Sequence, residues 1–291
     1  MPGSPTRKTF RVRDYDLNAT LTSGQTFRWQ QHESVWTGVV GVRWVRLGKA
    51  HDTITAETVV PVGDWSWLAD YLQVGLDLHA VLASFPKEGP MRAAVAAGRG
   101  LRLLRQDPWE CLASFILSST KQIVQIQQII ALLCERYGRR IAVPPGEPPA
   151  FAFPSPARLA GGTETELREC KMGFRAPHLL AAARAVASGQ FDLRHLRDLP
   201  LETARSELMK LPGVGPKIAD CVLLFAYGFQ SAFPMDVWVI KALRELYFPH
   251  RPVSLKQMRQ FAAAHFGCHA GYAQQYLFHY MRTRSAKTMR H

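Results

Sequence analysis

The chain has 291 residues, of which 47% are hydrophobic and 20% charged, the proportions of an ordinary folded globular protein. A net charge of +13 indicates a polyanionic partner, nucleic acid before an anionic membrane, although a basic surface kept for solubility competes with this interpretation. The sequence has no CxxC pair, no apolar run of membrane-span length and no signal-peptide-like start, so we expect no zinc or iron–sulfur site, no disulfide framework and an intracellular protein.

Residues 1–103 are predicted to form a small N-terminal domain that contains β-strands. Short runs rich in Val, Thr, Trp and Phe alternate there with glycine and His-Asp turns: FRWQQ, VWTGVVGVRWVRLGKA and DTITAE. Such runs are typical of antiparallel strands. The stretch from Trp65 to Phe85 then changes to helical spacing of its apolar residues.

Residues 104–291 are predicted to form a helical domain. Asp107-Pro108 and Ser155-Pro156 are helix-start signals, a capping side chain followed by proline, and Gly189 is predicted to be a C-cap. The proline-dense segment PPGEPPAFAFPSP is predicted to be a connection between helices. After Glu245 there is no acidic residue, and this basic end suits a phosphate backbone through Arg251, Lys256, Arg259, Arg282, Arg284, Lys287 and Arg290.

Residues 205–228, SELMKLPGVGPKIADCVLLFAYG with the preceding Arg205, indicate a helix, a tight turn and a second helix. Gly213 and Gly215 leave backbone N–H groups uncovered beside the free N–H groups of the second helix. Together these donors can bind a phosphate oxygen, and such a contact does not depend on the base sequence of the DNA. A plain αα-hairpin within a bundle is the competing interpretation.

Lys217 stands at the start of the second helix, where a positive charge is poorly placed. Asp236, in FPMDVW, opens the next apolar helix and alone would be a simple N-cap. Together the two residues indicate a shared cavity. A desolvated lysine near a helix N-terminus favours the neutral, nucleophilic amine, and a nearby carboxylate can stabilise a cationic sugar.

LPGVGPK followed by FPMDVW resembles the helix-hairpin-helix (HhH-GPD) DNA glycosylase superfamily. In that family the hairpin, here Gly213, Val214 and Gly215, grips DNA, and the aspartate assists cleavage of the bond between base and sugar. Members with a lysine after the hairpin are also lyases. The resemblance therefore implies that Lys217 attacks C1′, forms a Schiff base and cuts the strand on the 3′ side by β-elimination.

Three further stretches resemble the 8-oxoguanine DNA glycosylase branch: LTSGQTFRW, QDPWECLASFILSS and GYAQQYLF. The resemblance implies an α+β fold that is mainly α, in which a small antiparallel, TATA-binding-protein-like β domain precedes the HhH-GPD bundle. The iron–sulfur glycosylases do not fit, because their C-terminal cysteine cluster is missing.

The same resemblance assigns a pocket for the flipped base. The Gly24 carbonyl would accept the N7–H that distinguishes 8-oxoguanine from guanine, Phe278 would stack on the base, Gln274 would contact its edge, and Cys221 would line the opposite wall. Without the other motifs, Gly24 is a turn glycine, and core packing explains Phe278 and Cys221.

Contacts with the opposite strand depart from the family pattern. Thr120 stands where an asparagine usually fills the hole left by the base, and Gln125 where an arginine reads the orphaned cytosine. A second such arginine is retained as Arg175, beside Phe174, an aromatic residue that is predicted to wedge into the duplex. A separate departure is Trp238, which stands where relatives have a histidine two residues past the aspartate, so we expect the phosphate contact there to be lost or replaced by packing.

The function expected from the sequence is therefore a bifunctional 8-oxoguanine glycosylase and AP lyase of base excision repair. Two alternatives stay open: a glycosylase for other oxidised or alkylated purines, and a non-catalytic DNA-binding module. We expect a monomer that binds double-stranded DNA containing an oxidised purine, without a cofactor or a metal and with no membrane attachment. The sequence leaves open whether a cation bridges the hairpin carbonyls and a phosphate.

Overall fold

The computed structural model describes residues 6–288, with side chains up to residue 285. Of the predicted basic end, Arg290 and the side chain of Lys287 lie outside the described part. A five-stranded antiparallel sheet comes first, in the order β1-β5-β4-β3-β2. Its strands are β1 (Thr6–Arg11), β2 (Trp29–His32), β3 (Val35–Val40), β4 (Arg43–Ala50) and β5 (Thr53–Thr58).

Alternating burial explains why these runs form a sheet with one covered face. In β5 every second residue is buried, and the register places Trp36 opposite Leu47 and Leu47 opposite Ala56. This row of apolar side chains crosses three strands and belongs to a core that also contains Leu68 and Leu72. The other face is polar except where Trp44 and Val39 pack against Ile141 and Ala152.

Fourteen α-helices follow or accompany the sheet in the described residues. They are α1 (Leu17–Thr22), α2 (Ser66–Leu72), α3 (Leu78–Ala83), α4 (Gly89–Ala97), α5 (Pro108–Leu117), α6 (Ile123–Tyr137), α7 (Pro156–Ala160), α8 (Glu164–Leu167), α9 (Ala176–Ala187), α10 (Leu201–Leu208), α11 (Pro216–Val222), α12 (Val237–Leu246), α13 (Leu255–Phe266) and α14 (Ala270–Thr288). The predicted fold class, mainly helical with an N-terminal antiparallel sheet, is confirmed.

The predicted helix-start signals act as capping groups. Asp107 accepts a hydrogen bond from the Glu110 N–H at 2.8 Å, and Ser155 accepts one from the Arg158 N–H at 3.3 Å. Gly189 adopts φ +77° just past α9, a conformation suited to glycine. Capping therefore fixes where α5, α7 and α9 begin or end.

Helix α5 is the central element of the bundle. Almost all of its residues are buried, including Cys111, Leu112 and Leu117, which are fully enclosed. A helix that is apolar on all sides is surrounded by other elements. Because α5 is packed on every side, its C-terminal end at Ser118 is a fixed point for the site described below.

Two details were not predicted. The proline-dense connection contains β7 (Ala150–Phe151), which pairs with β6 (Arg140–Ile141). The second helix of the hairpin continues beyond α11 as a π-helical turn, Leu223–Tyr227, and ends at Gly228. Gly228 has φ +77°, a conformation that favours glycine, and a Cβ there would displace the Arg105 guanidinium.

The boundary at residue 103 stays a prediction. Apolar packing crosses it, because Phe85, Met91 and Ala94 belong to the core of the helical bundle. Among residues 6–288, no helix combines the length and hydropathy that crossing a membrane requires.

Candidate active site

A cavity of about 800 Å³ opens where the ends of several helices meet the N-terminal segment. It lies between the loop after α5, the first residues of α6, α11 and α12, and one face of α14. Six of the residues predicted from sequence line it: Gly24, Thr120, Lys217, Asp236, Trp238 and Phe278. The structure thus brings the predicted lysine and aspartate into one cleft.

Lys217 is the second residue of α11, directly after Pro216. Its Nζ donates to the Ser118 hydroxyl at 3.2 Å and lies 5.3 Å from the centroid of the Phe115 ring. Ser118 in turn donates its own hydrogen to the Phe115 carbonyl at 2.7 Å. The hydroxyl therefore presents a lone pair to the amine, and the buried end of α5 fixes where that amine lies.

Asp236 is the N-cap of α12 and accepts the Val239 N–H at 2.8 Å. Burial raises the pKa of this carboxyl, while hydrogen bonding to the backbone and the positive charge of Lys217 act in the opposite direction. In the described part of the chain, Lys217 and Asp236 do not form a direct ion pair. Both face the same cavity, so a substrate atom can lie between the amine and the carboxylate.

The hairpin has the predicted form, with α10, a turn and α11. Gly213 adopts φ +79°, and a Cβ on it would lie 2.7 Å from the His178 ring, so the turn requires glycine on two grounds. Arg205 on α10 pairs with Asp220 on α11 at 2.6 Å and holds the two helices together. Glycine and this ion pair together set the shape of the turn that precedes Lys217.

Gly24 and Phe278 meet across the cavity although they are far apart in sequence. Gly24 has φ +74°, and a Cβ there would lie 3.1 Å from Ile123 Cδ1 and 3.3 Å from Phe278 Cζ. The backbone at Gly24 therefore comes close to the aromatic ring. A planar group stacked on Phe278 would lie within reach of that backbone.

Known proteins with similar sequences identify the family to which the chain belongs. The family model for the 8-oxoguanine DNA glycosylase N-terminal domain matches residues 9–112, and that for the HhH-GPD superfamily of base excision DNA repair proteins matches residues 113–264. The chain belongs to the HhH-GPD superfamily, in its 8-oxoguanine DNA glycosylase branch. An N-glycosylase/DNA lyase of Saccharomyces cerevisiae is 33% identical over 84% of this chain and 71% of its own.

Solved structures of this superfamily also superpose over nearly the whole chain. MBOgg1 in complex with a low-affinity DNA ligand has a TM-score of 0.91 and 35% identity, with 96% of each chain covered. The 8-oxoguanine glycosylase/lyase of Clostridium acetobutylicum, in complex with DNA containing cytosine opposite 8-oxoG, has a TM-score of 0.88 and 31% identity, covering 96% of this chain and 98% of its own.

Two residues that the glycosylase resemblance assigns to the base pocket lie behind the cavity surface. Cys221 is buried, and its pKa is raised to about 12 chiefly by burial, so it is a neutral thiol. Gln274 is 3% exposed, and its Oε1 has no hydrogen-bond partner among the described residues. Both pocket assignments stay predictions.

The predicted opposite-strand residues differ in how they are placed. Phe174 is 58% exposed, as a wedge would need to be. Arg175 is buried and donates to the Ser119 carbonyl and the Thr120 hydroxyl, with its guanidinium 4.2 Å from the Phe174 ring centroid. In this arrangement Arg175 supports the loop after α5 and does not face solvent. Its contact with an orphaned base stays a prediction.

Two of the three positions where this glycosylase departs from the family pattern, Gln125 and Trp238, have local partners of their own. Gln125 accepts the Gln122 N–H at 3.1 Å and completes the capping box of α6. Trp238 is half-buried, with Lys241 Nζ 5.7 Å from its ring centroid. Both side chains have structural roles at helix starts beside the cavity.

Sequence reasoning missed two members of the site, Ser118 and Arg282. Ser118 ends α5 inside a motif that was quoted as a whole, and Arg282 was counted only as one of several basic residues. The spacing of Arg282, one helical turn after Phe278, is the signal that could have found it. Among residues 6–288 no group of three or more His, Cys, Asp or Glu side chains could hold a metal ion.

Proposed function

We propose that this protein is a bifunctional DNA glycosylase and AP lyase that removes 8-oxoguanine from duplex DNA in base excision repair. The observation that carries the proposal is the convergence of Lys217 and Asp236 on one cavity that Gly24 and Phe278 also line. A nucleophile, a carboxylate and a stacking surface in one cleft are what excision of a flipped base requires.

The reaction would proceed in two stages. Lys217 Nζ attacks C1′ as the bond from C1′ to the base breaks, and the carboxylate of Asp236 stabilises the positive charge that develops on the sugar. Ring opening gives a Schiff base between Nζ and C1′. Loss of a proton from C2′ then expels the 3′ phosphate by β-elimination, and hydrolysis releases Lys217.

Recognition of the lesion would depend on the backbone at Gly24. Oxidation at C8 converts N7 of the base from a hydrogen-bond acceptor into an N–H donor. A backbone carbonyl can accept a hydrogen bond from this N–H group, which normal guanine lacks. The close approach of Gly24 to Phe278 supports this assignment, because the stacked base would be near the carbonyl. The protein would act as an intracellular, DNA-associated monomer without a cofactor.

A trapping experiment tests the proposal. The protein is incubated with duplexes that contain a single 8-oxoguanine opposite each of the four bases in turn, and borohydride is added to reduce any Schiff base. We expect a covalent adduct with the wild type and with the control Lys8→Gln, whose side chain is exposed on β1, and none with Lys217→Gln. An adduct only with other damaged purines would support the second enzyme interpretation, and binding without an adduct would support the non-catalytic one.

Affinity for DNA should also depend steeply on salt, because Lys and Arg side chains displace counterions from phosphates. The measurement is a titration of a labelled duplex at several salt concentrations. A salt-independent affinity would contradict the interpretation of the +13 net charge as a nucleic-acid surface.

A further inference from the structure

Arg282 occupies an unusual position for a basic residue near the chain end. It lines the same cavity as Lys217 and Asp236, and its guanidinium lies 5.3 Å from the centroid of the Phe278 ring. Its Nη1 donates to the Thr22 carbonyl at 3.1 Å. No carboxylate of the described residues forms an ion pair with it. The guanidinium thus brings an uncompensated positive charge to the predicted base-stacking surface.

Partial burial of Arg282 strengthens the interaction of its positive charge with neighbouring anions. Burial lowers the pKa of its guanidinium, and the charge of Asp236 acts in the opposite direction. A partly enclosed cation interacts more strongly with a neighbouring anion than a solvated one does, because the effective dielectric constant is lower. An arginine nevertheless stays protonated. Arg282 is therefore a permanent positive charge inside the cavity.

Excision creates negative charge beside this cation. When the bond between C1′ and N9 breaks, its electron pair stays on the base and spreads over the five-membered ring and the C8 oxygen. The amine of Lys217 forms the new bond to C1′, and the proton that it loses ends on the departing base. A fixed donor aimed at charge that develops in the transition state lowers the barrier.

The geometry points to Arg282 as a further catalytic residue that stabilises the anionic base as it leaves. This inference rests on the proposed function and adds a residue and a step to it. The hydrogen bond to the Thr22 carbonyl orients the guanidinium. Thr22 lies two residues before Gly24, so the same turn holds the cation and the predicted acceptor of the N7 hydrogen. If Arg282 only contacted a DNA phosphate, its side chain would not need to line the cavity that contains Lys217 and Asp236.

The test separates base release from strand cleavage. Single-turnover rates are measured for Arg282→Met and Arg282→Lys on an 8-oxoguanine duplex and on the same duplex with a preformed abasic site. We expect Met to slow base release by about 10²- to 10³-fold, in the range found for loss of one charge-stabilising donor, and Lys to restore most of it. Strand cleavage at the abasic site, where no base leaves, should stay close to the wild-type rate.

A second readout concerns the leaving group. A more acidic base needs less help to depart, so the deficit of Arg282→Met should shrink as the excised purine becomes more acidic. Arg99→Met is the matched control, because it removes the same charge from an exposed ion pair with Asp14 outside the cavity.

Each result of these experiments either supports or overturns the inference about Arg282. Equal losses on both substrates, or a deficit independent of base acidity, would overturn the inference and assign Arg282 to DNA binding or to tethering α14. If the wild type cleaves abasic DNA but does not release 8-oxoguanine, the proposed substrate fails instead. Thermal unfolding of Arg282→Lys and Arg282→Met checks that both variants are folded.

Discussion

Asp236 has two separable roles, and replacing it with asparagine should abolish one and keep the other. Its Oδ1 caps α12 by accepting the Val239 N–H at 2.8 Å, and its charge faces the cavity of Lys217. Asparagine is as good an N-cap as aspartate. Asp236→Asn therefore removes the negative charge while the helix start stays intact, whereas Asp236→Ala removes both.

The magnitudes of the two effects differ enough to be distinguished. Loss of an N-cap costs about 0.5–2 kcal/mol, which corresponds to roughly 2–4 °C of melting temperature per kcal/mol in a chain of this size class. Loss of one group that stabilises developing charge lowers the rate by about 10²–10³-fold. We expect Asp236→Asn to melt near the wild type with a rate lowered by that factor, and Asp236→Ala to show the same rate loss and the lower melting temperature.

The assay combines single-turnover excision of 8-oxoguanine, thermal unfolding and duplex binding for the three proteins. Because burial raises the pKa of Asp236, the wild-type rate should fall as the pH falls through that raised value, while the Asp236→Asn rate should lack this step. An Asp236→Asn rate equal to the wild type, with an unchanged pH profile, would refute the catalytic role. A melting temperature of Asp236→Asn as low as that of Asp236→Ala would refute the separation of roles.

Three further predictions concern the groups around the site. Ser118→Ala should lower the rate of Schiff-base formation about tenfold, because Lys217 loses the hydrogen bond that orients it; an unchanged trapping rate would contradict this. Burial raises the pKa of Asp220 from 3.8 to about 6, so the folded state holds the proton more tightly and loses stability as pH rises between these values. Asp220→Asn should flatten that slope in denaturant unfolding, and an identical slope would contradict the assignment. Thr120 has φ +55°, so Thr120→Asn should raise the unfolding free energy by up to about 1 kcal/mol, and a loss of stability would count against strain at this residue.

The sequence predicted those parts of the site that are encoded within continuous stretches. The hairpin follows from a turn with two glycines between two amphipathic helices, and Asp236 from a capping residue before an apolar run. These signals are local, since glycine conformation and capping depend on a few neighbouring residues. Gly24 and Phe278 were predicted only through family resemblance, because no local property distinguishes them from a turn glycine and a core aromatic.

The missed residues depend on contacts between distant parts of the chain. The bond between Lys217 and Ser118 spans 99 residues, and that between Arg282 and Thr22 spans 260. A serine at a helix end and an arginine in a basic segment have many possible roles until the fold places them. The short β6–β7 pair and the π-helical turn after α11 were missed because residue propensities do not predict a two-residue strand or a change of helix type within one turn.

The location of the chemistry follows from how helices end. Lys217 and Asp236 stand at the starts of α11 and α12, and Ser118 at the end of α5, where backbone groups lack intrahelical partners. Because the bundle packs around the buried α5, these ends are held rigidly toward one point. The loop after α5 is different, since Thr120 has a positive φ and relies on Arg175 for support.

The division between fixed helix ends and a supported loop has a functional consequence. The groups proposed to act on the sugar and the departing base are held by elements that the core fixes. Of the residues that depart from the family pattern, Thr120 lies in the loop and Gln125 in the first turn of the helix that follows it. Changes in that loop can alter contacts with the opposite strand without moving the amine of Lys217. We therefore expect a weaker preference for cytosine opposite the lesion than the family pattern implies, together with unchanged lysine chemistry. Excision rates measured against each of the four opposing bases test this.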